Sequence, residues 1–320
     1  MTAPPPRAWL LHDGKAGNVS QLLGLGQALG AEHRLLRSTV DGPRMLLPAR
    51  LWQAGLMRHP PGGDALGPPW PDIVIGAGRR TARAVLWVRR AAAGRPFAVQ
   101  IQDSGVAPAR FDLVTVPRHD RLRGPNVVVT DGAIHRVTRA ALDAAAADWG
   151  PRLARMPRPR VAVLIGGSSR AYRMTVEAAT ALGRALTAMR EATGGSLLVT
   201  ASRRTGPEAA AALRAILAGP AIAFWDGRGD NPYLGYLALA DAIVVTADSV
   251  SMPSEAAATG KPVHIADLPG GSPKFTRFHA HFRALGITRP FAGRLESWSY
   301  TPPDDAGRVA AEIVRRRALQ

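Results

Sequence analysis

Short apolar runs alternate with helix-length amphipathic segments along the first third of the chain. Strands that alternate with helices in this way pack as a parallel sheet with helices on both faces. The pattern therefore predicts an α/β domain, with strands at 8–13, 33–40, 72–78, 97–103 and 111–117 and helices at 18–30 and 79–93.

The same alternation restarts after residues 150–160, GPRLARMPRPR, which suit neither a helix nor a strand and are predicted to be an inter-domain linker. A second set of strands is predicted in 161–167, 196–205 and 221–226, with helices over 174–192 and 206–218. We therefore expect two Rossmann-like α/β domains in tandem, at 1–150 and 161–300. A capped amphipathic helix over 303–320 is long enough to cross back onto the first domain.

The composition excludes several classes of protein. The chain has 320 residues and no cysteine, so a disulfide framework, a zinc–cysteine site and a cysteine nucleophile are all excluded. The N-terminal apolar segment is too short for a signal peptide or a membrane span, and we expect a cytoplasmic protein. The close pair His279 and His281 has no carboxylate at ligand spacing, so no metal site is expected.

The charge predicts anionic partners. Lys and Arg number 41 against 24 Asp and Glu, which gives a net charge of +17. There is no basic tail and no aromatic-interleaved platform, so nucleic acid is disfavoured relative to a nucleotide, a phosphosugar or a phospholipid. The only lysines, Lys15, Lys261 and Lys274, each fall in a loop beside a candidate motif, where a compact point charge could be needed.

Ligands of open α/β sheets bind beyond the carboxyl ends of the strands, which directs attention to the loops there. The first such loop starts at His12 and is not a P-loop or a dinucleotide fingerprint. Its glycines would let the backbone approach a ligand closely. The alternative, a tight turn with Asn18 as helix N-cap, would explain the glycines but not the cluster of polar and charged side chains. The candidate residues are Asp13, Gly14, Lys15, Gly17, Asn18 and Gln21, with the helix starting near Gln21.

Two loops of the second domain carry phosphate-binding chemistry. Gly166-Gly167-Ser168 could wrap a diphosphate with backbone donors. The next strand ends in Ser202-Arg203-Arg204-Thr205 just before a helix, and because a helix start disfavours cations, the arginines predict a bound anion. Asn231, in a turn on the same sheet edge, is a weaker candidate for framing a base or sugar.

A third loop follows the apolar strand within 241–247 and leads into a short Ala-rich helix. Asp248, Ser249 and Ser251 precede backbone N–H groups that could bind an anion, and Glu255 lies one turn further on, where it could accept ribose hydroxyls. The alternative is a well-capped helix, with Ser251 as N-cap and Glu255 solvated.

Several motifs together resemble one family. They are HDGKAGNVSQLLGLGQALG, FDLVTVPRHD, IGGSSRAY, TASRRT and NPYLGYLALADAIVVTADSVSMPSEAAATGKPVHI. From about residue 8 to about residue 290 the chain is similar to bacterial relatives of the plant mitochondrial-fission factor named for elongated mitochondria. Bacterial members often carry a nucleoside-diphosphate-sugar epimerase label, and the resemblance implies a GT-B-type glycosyltransferase architecture.

The resemblance implies a metal-independent glycosyltransferase that uses a nucleotide-diphosphate sugar as substrate, with no cofactor. Asp13 is the predicted acceptor base, with His12 as the alternative, and Gly14, Lys15, Gly17, Asn18, Gln21 and Asn231 are predicted to bind substrate. Predicted contacts to the nucleotide-sugar are Gly166, Gly167, Ser168, Ser202, Arg203, Arg204, Thr205, Asp248, Ser249, Ser251, Met252 and Glu255.

Two other functions stay open: a nucleotide-sugar epimerase of the same fold and a non-catalytic adaptor. The segment 43–58 interleaves apolar residues with arginines, so a peripheral position on the inner face of an anionic membrane, near a lipid or envelope acceptor, is one expectation. A half-buried helix with snorkelling arginines is the competing interpretation.

Overall fold

The computed structural model describes residues 4–38, 63–225 and 227–319. The chain divides into two compact units. Unit 1 comprises Met1–Arg136 and Asp304–Gln320, and unit 2 comprises Val137–Pro303. The arginine-rich segment 43–58 lies outside the described residues.

Unit 1 contains a six-stranded parallel sheet in the order β2-β1-β3-β4-β5-β6. Its central strands β3, β4 and β5 are buried along their whole length, which is why they are apolar except for Gln100 and Thr115. After β1 the chain forms β2 on one side of β1 and then β3 on the other side of β1, so the strand order reverses between β1 and β3. The elements are β1 (Arg7–His12), α1 (Ala16–Ala28), β2 (Glu32–Arg37), β3 (Ile73–Ala77), α2 (Ala82–Ala91), β4 (Phe97–Ile101), β5 (Leu113–Pro117), β6 (Val127–Thr130) and α9 (Asp305–Arg317).

The last helix completes the core of unit 1. Val309 and Ile313 of α9 are fully buried and belong to the same apolar cluster as Leu22 and Leu25 of α1. Asp305, at the start of α9, accepts backbone hydrogen bonds from the loop after β6, at 3.0 and 2.8 Å. The amphipathic pattern of the C-terminal segment therefore reflects burial against unit 1.

Unit 2 contains a second six-stranded parallel sheet, in the order β12-β11-β10-β7-β8-β9. This is the order 3-2-1-4-5-6 of dinucleotide-binding folds, read from β9, whereas unit 1 follows the flavodoxin-like order. The order reverses at β7/β10. The elements are α3 (Arg139–Trp149), β7 (Arg160–Ile165), α4 (Val176–Thr193), β8 (Ser196–Ala201), α5 (Pro207–Ile216), β9 (Ile222–Trp225), α6 (Tyr233–Leu239), β10 (Ala242–Thr246), α7 (Ser251–Ala257), β11 (Val263–Ala266), α8 (Pro273–Ala284) and β12 (Thr288–Pro290).

The prediction of two Rossmann-like α/β domains is confirmed, but several boundaries differ. The division falls after residue 136 instead of within 150–160, because α3 packs in unit 2, where Trp149 meets Tyr236 of α6 edge to face at 6.1 Å. Helix α1 begins at Ala16, five residues before Gln21, without a side-chain cap. Asn18 is therefore inside the helix and is not its N-cap. Within the described residues, no helix is long and apolar enough to cross a bilayer.

Candidate functional site

The reversal of strand order in unit 2 places the loops after β7 and β10 side by side, and a buried carboxylate joins them. The Asp248 side chain has no solvent exposure. It accepts hydrogen bonds from the Gly167 backbone N–H at 2.9 Å and from the Thr246 hydroxyl at 2.7 Å. Thr246 in turn accepts from the Gly166 N–H at 2.8 Å. Thr246 was not among the predicted residues because it lies inside an apolar strand.

The loop after β8 is attached to the same point. One guanidinium nitrogen of Arg204 lies 2.8 Å from an Asp248 carboxylate oxygen, and the Arg204 side chain is 44% exposed. The hydroxyls of Ser202 and Thr205 both donate to the Gly166 carbonyl, at 2.9 and 2.5 Å. The structure thus brings together three of the predicted loops of unit 2, with Arg204 presenting a cation beside a buried anion.

Close packing explains the two glycines of the loop after β7. A Cβ atom on Gly166 would lie 2.2 Å from an Asp248 carboxylate oxygen, and one on Gly167 would lie 1.9 Å from the Arg204 carbonyl oxygen. Neither position tolerates a side chain. The packing of the protein's own loops therefore requires these glycines, a reason that the prediction of backbone donors wrapped around a diphosphate did not include.

The backbone donors of this loop are already used within unit 2. The N–H groups of Ser168 and Ser169 donate to the carbonyls of Arg204 and Tyr172, both at 2.9 Å. The predicted cradle of free N–H groups is therefore filled by protein acceptors. What the loops present outward is cationic, since Arg170 and Arg203 are exposed and form no ion pair in the part of the chain that the structure describes.

The start of α7 differs in detail from the expected cap. Ser249, not Ser251, accepts a hydrogen bond from the backbone N–H of Met252, at 3.1 Å. The hydroxyls of Ser249 and Ser254 each form a hydrogen bond, whereas the Ser251 hydroxyl has no partner among the residues that the structure describes. The helix has only seven residues. A hydroxyl and the first N–H groups of a short helix are what this loop offers to an anion.

Glu255 is held by a tyrosine that the sequence analysis did not single out. The Tyr233 hydroxyl donates to a Glu255 carboxylate oxygen at 2.5 Å. Asn231 accepts from the Tyr233 backbone N–H at 3.0 Å, which makes it a turn residue at the start of α6. The alternative that Glu255 is merely solvated is therefore wrong. The sequence signal that could have indicated this contact is the tyrosine that begins α6, in the motif NPY.

The suggestion that each lysine serves a ligand fails for Lys261. Its ammonium donates to the carbonyls of Leu237 and Ala238 at the end of α6, at 2.7 and 2.5 Å. Burial lowers the pKa of Lys261 to about 8. Lys261 therefore caps a helix C-terminus, where its positive charge interacts favourably with the negative end of the helix dipole.

In unit 1, amide side chains lie close together at the corresponding position, where the strand order reverses between β1 and β3. Asn18 donates to Asp13 at 2.9 Å and to the Ala77 carbonyl at 3.3 Å, and it accepts from the Gln102 amide at 3.1 Å. Gln102 has φ +72°, a left-handed conformation that non-glycine residues seldom adopt, and it marks the end of β4 as a constrained position. Sequence reasoning missed Gln102 because nothing local predicts a positive φ there.

Asp13 is enclosed in this network. Its side chain is 1% exposed and lies 3.3 Å from the Lys15 ammonium, which is 68% exposed. Burial would raise the pKa of Asp13, but the hydrogen bond from Asn18 and the nearby Lys15 outweigh burial, and the pKa lies below its usual value. The carboxylate is ionised at neutral pH and already accepts several donors, so Asp13 anchors the loop; its role as acceptor base stays a prediction.

The remaining predicted residues of this loop are placed as follows. Burial and the Arg37 guanidinium lower the pKa of His12, so its ring is neutral at pH 7, and its Nδ1 accepts from the Gly14 N–H at 3.1 Å. Gly14 has φ +83° and needs glycine for that reason. Gly17 lies in the first turn of α1, and Gln21 is buried on its inner face. Across 4–38, 63–225 and 227–319, no three His, Asp or Glu side chains are grouped as metal ligands.

Comparison with known proteins relates the whole chain to a family and a fold. The family model described as Mitochondrial fission ELM1 matches residues 16–317. The protein named Mitochondrial fission protein ELM1 from Arabidopsis thaliana is 36% identical over 277 residues, or 78% of this chain, and the match spans 65% of the plant protein's length. An uncharacterized protein of Rickettsia prowazekii, RP120, is 25% identical over 96% of this chain and 97% of its own length.

A solved structure shows the same fold at low sequence identity. The UDP-GlcNAc 2-epimerase of Methanocaldococcus jannaschii, in complex with UDP-GlcNAc and UDP, is 11% identical, with a TM-score of 0.56, covering 98% of this chain and 99% of that one. This likeness supports the GT-B-type, two-unit α/β architecture expected from the sequence.

Proposed function

The chain belongs to the Mitochondrial fission ELM1 family, and from this premise we propose that unit 2 binds a nucleotide-diphosphate sugar for metal-independent glycosyl transfer. One observation carries the proposal. At the reversal of strand order, where ligands of this sheet topology bind, Asp248 holds three loops together while Arg203, Arg204 and Arg170 face outward. Arg204 beside the buried carboxylate, with the exposed Arg203 and Arg170 on the loops after β8 and β7, gives a net positive surface suited to a diphosphate.

Each loop has a part in the proposed complex. Arg203 and Arg204 take the diphosphate oxygens, and the Ser251 hydroxyl donates to the same group. Glu255, oriented by Tyr233 at 2.5 Å, accepts the ribose hydroxyls. The structurally similar archaeal epimerase was solved in complex with UDP-GlcNAc and UDP, which is consistent with such a ligand.

Glycosyl transfer makes a specific demand on these groups. The bond between the anomeric carbon and the diphosphate oxygen breaks, and its electron pair stays on the diphosphate. An acceptor oxygen bonds to the anomeric carbon and its proton passes to a base. Cations fixed beside the leaving group stabilise the charge that develops there. The accessible groups at the loops of unit 2 are cations and hydroxyls, which suits this step, and the base is assigned to Asp13, with His12 as the alternative, in unit 1.

Two further functions each have an observation in their favour. A sugar-nucleotide epimerase is the named activity of the archaeal structure with the same fold. A non-catalytic binding protein would agree with the four N–H groups at 166–169, which already have partners inside unit 2. The plant relative is named for mitochondrial fission, with no enzymatic activity in its name.

The deciding experiment is incubation of the full-length protein with UDP-N-acetylglucosamine, with and without bacterial lipid extract, preceded by a thermal-shift screen of nucleotides. Binding of a nucleotide raises the unfolding midpoint. Labelled sugar transferred to lipid supports the transferase, and a new sugar in the absence of lipid supports the epimerase. No shift with any nucleotide or nucleotide-sugar contradicts the proposal for unit 2.

Association with an anionic membrane surface is part of the same proposal and rests on the net charge of +17 and the pattern of segment 43–58. Flotation with vesicles of phosphatidylglycerol and phosphatidylcholine tests it. Protein that stays at the bottom of the gradient at low salt excludes the membrane-surface role without affecting the nucleotide proposal.

A further inference from the structure

A cavity of about 230 Å³ lies beside α8, at the ends of β11 and β12 in unit 2. At about 30 Å³ per water molecule it has room for roughly eight waters, the size of a small sugar. Its polar lining does not include Arg203, Asp248 or Ser251, so it is separate from the nucleotide-sugar site proposed above. The polar side chains used below are Tyr172, Asp267, Thr276, His279, Arg283 and Thr288.

Helix α8 presents two different faces. Phe278 and Phe282 are fully buried in an apolar cluster with Ala257 and Ile287. Residues at the helical spacing of three and four line the cavity instead, namely Thr276, His279 and Arg283. The cavity face of α8 is therefore its polar, solvent-facing side, on which Thr276 and Arg283 are exposed and His279 is half-buried.

His279 contributes a buried acceptor that no protein group satisfies. Its Nε2 lies 2.9 Å from the Ala247 carbonyl oxygen, which can only accept, so Nε2 carries the proton. Burial lowers the pKa of His279, so the ring is neutral at pH 7 and Nδ1 keeps its lone pair. Nδ1 is buried and has no hydrogen-bond partner within the described residues. An unsatisfied buried acceptor is unfavourable, and a ligand hydroxyl that displaces the groups covering Nδ1 would satisfy it.

The cavity also holds one carboxylate and one guanidinium that do not pair. Asp267 and Arg283 are exposed, and neither forms an ion pair within 4.0 Å in the described part of the chain, whereas Arg289 pairs with Glu296 at 2.6 Å. A carboxylate accepts hydroxyl donors, and an unpaired guanidinium binds a phosphate oxyanion. From Thr276 to Arg283 the helix rises about 10 Å, so hydroxyl-binding and anion-binding groups are separated along α8.

We propose that this cavity binds a monosaccharide bearing one phosphate, with the sugar hydroxyls at Asp267 and His279 and the phosphate at Arg283. Thr276, Thr288 and the Tyr172 hydroxyl complete the polar lining. The inference does not rest on the proposed function, because Asp267, His279 and Arg283, which would hold the sugar and the phosphate, are not among the residues proposed to hold the nucleotide. Tyr172 is the lining residue that lies in the loop after β7. His279 also contacts Ala247, directly before Asp248, so occupancy of the cavity is connected through one hydrogen bond to the loop after β10.

The test is isothermal titration of the full-length protein with four hexose phosphates: glucose 1-phosphate, glucose 6-phosphate, mannose 6-phosphate and N-acetylglucosamine 1-phosphate. Glucose and inorganic phosphate serve as the two half-ligands. At least one hexose phosphate is expected to bind with a stoichiometry of one and more tightly than either half. The proposal is overturned if inorganic phosphate binds as tightly as each of the hexose phosphates. It is also overturned if none of the four hexose phosphates binds at millimolar concentration.

Variants place the binding in the cavity. Arg283→Ala is expected to weaken affinity about tenfold or more, since it removes the charged partner of the phosphate. His279→Gln keeps a donor for the Ala247 carbonyl but loses the Nδ1 acceptor, and it is expected to weaken affinity about fivefold or more. Arg184→Ala, an exposed change on α4, is the matched control and is expected to bind like the wild type.

A competition arm separates the two sites. Saturating UDP is expected to leave hexose-phosphate binding unchanged, because the two ligands use different residues. Displacement by UDP, or wild-type affinity in Arg283→Ala, overturns the cavity assignment. A protein that binds hexose phosphate but no UDP would retain the cavity proposal and lose the nucleotide proposal, so the two can fail separately.

Discussion

The two units use the same topological position in different ways. Where strand order reverses in unit 1, amide side chains join the loops, with Asn18 bonded to Gln102 and to the Ala77 carbonyl. In unit 2 a carboxylate joins them, with Asp248 bonded to the Gly167 N–H and paired with Arg204. The network of unit 1 also holds a buried carboxylate, Asp13 beside Lys15, but amide groups link its loops, whereas in unit 2 the carboxylate itself links them.

The difference has a functional consequence. The enclosed Asp13 of unit 1 is 1% exposed, and only its partner Lys15 reaches solvent. In unit 2 the partner Arg204 is 44% exposed, and Arg203 beside it has no ion pair in the described ranges. Each unit therefore sets an exposed cation beside a buried carboxylate, and in unit 2 the exposed Arg203 lies next to that cation in the chain. An anionic ligand is expected on unit 2.

The largest expected effect comes from removing the carboxylate of unit 2. Asp248→Ala leaves the buried Gly167 N–H and the Thr246 hydroxyl without their acceptor, and we expect it to lower the free energy of unfolding by about 3 kcal/mol. Asp13→Ala in unit 1 is expected to cost only about 1 kcal/mol, because Asn18 retains the Ala77 carbonyl and Lys15 remains solvated. Urea unfolding followed by circular dichroism measures both, and equal losses would contradict the contrast between the units.

Next in size is the steric test of the loop after β7. In Gly167→Ala the new Cβ would overlap the Arg204 carbonyl oxygen at 1.9 Å, so the loops must separate, at an expected cost of about 2 kcal/mol. In Gly14→Ala the new Cβ would have no neighbour within 4 Å. The expected loss of stability, about 1 kcal/mol, comes only from the backbone strain of φ +83°. Chemical denaturation decides the matter, and a stability of Gly167→Ala at or above that of Gly14→Ala would show that the loops of unit 2 do not pack as described.

A smaller effect is expected on ligand affinity. Arg203→Ala removes an unpaired guanidinium from the proposed diphosphate site and should weaken UDP binding about tenfold, or about 1.4 kcal/mol. Arg79→Ala, an exposed arginine at the end of β3 in unit 1, is the matched control and should bind UDP like the wild type. Isothermal titration compares them. Loss of affinity in Arg79→Ala with none in Arg203→Ala would assign anion binding to unit 1 instead.

The fold was largely predictable because its strands carry a local signal. Buried strands such as β4 and β7 are mostly apolar, with only Gln100 and Arg160 as polar members, and the loops at their carboxyl ends stand out by glycine and polar residues. Strand β6 has only four residues and helix α3 has a single buried side chain, Leu142, so neither gave a clear pattern. The domain boundary was misplaced for the same reason, since α3 is assigned to unit 2 by its contact with α6.

The candidate site was predictable in its positions but not in its contacts. Ser202, Arg204 and Asp248 were identified as loop residues. The attachment of the first two to the neighbouring loops and the burial of Asp248 were not predicted, because both depend on neighbours up to 81 residues away in the chain. The Tyr233–Glu255 bond joins residues 22 apart through the packing of two helices. Side-chain pairing at a sheet edge is set by tertiary packing, and local sequence patterns do not contain it.

The smallest expected effect concerns a surface carboxylate, which contrasts with the buried Asp248. Glu312 on α9 of unit 1 pairs with Arg315 at 2.7 Å and Arg316 at 2.6 Å, and hydrogen bonds from these two arginines lower the pKa of Glu312 to about 2. A carboxyl whose pKa is lowered by folding stabilises the native state above its ordinary pKa and loses that contribution as the pH falls through the folded value. Because water screens these exposed groups, we expect about 0.5 kcal/mol at most.

The measurement is the difference in unfolding free energy between the wild type and Glu312→Gln as a function of pH. The wild type should be slightly more stable at pH 6. As the pH falls from about 4.5 to 2, Glu312 is protonated first in the unfolded state and then in the folded state, so the difference should vanish over this range. High salt should reduce the difference at pH 6, since it screens exposed pairs. A pH-independent difference, or one that grows on acidification, would mean that the two arginines do not hold Glu312 as an ion in the native state.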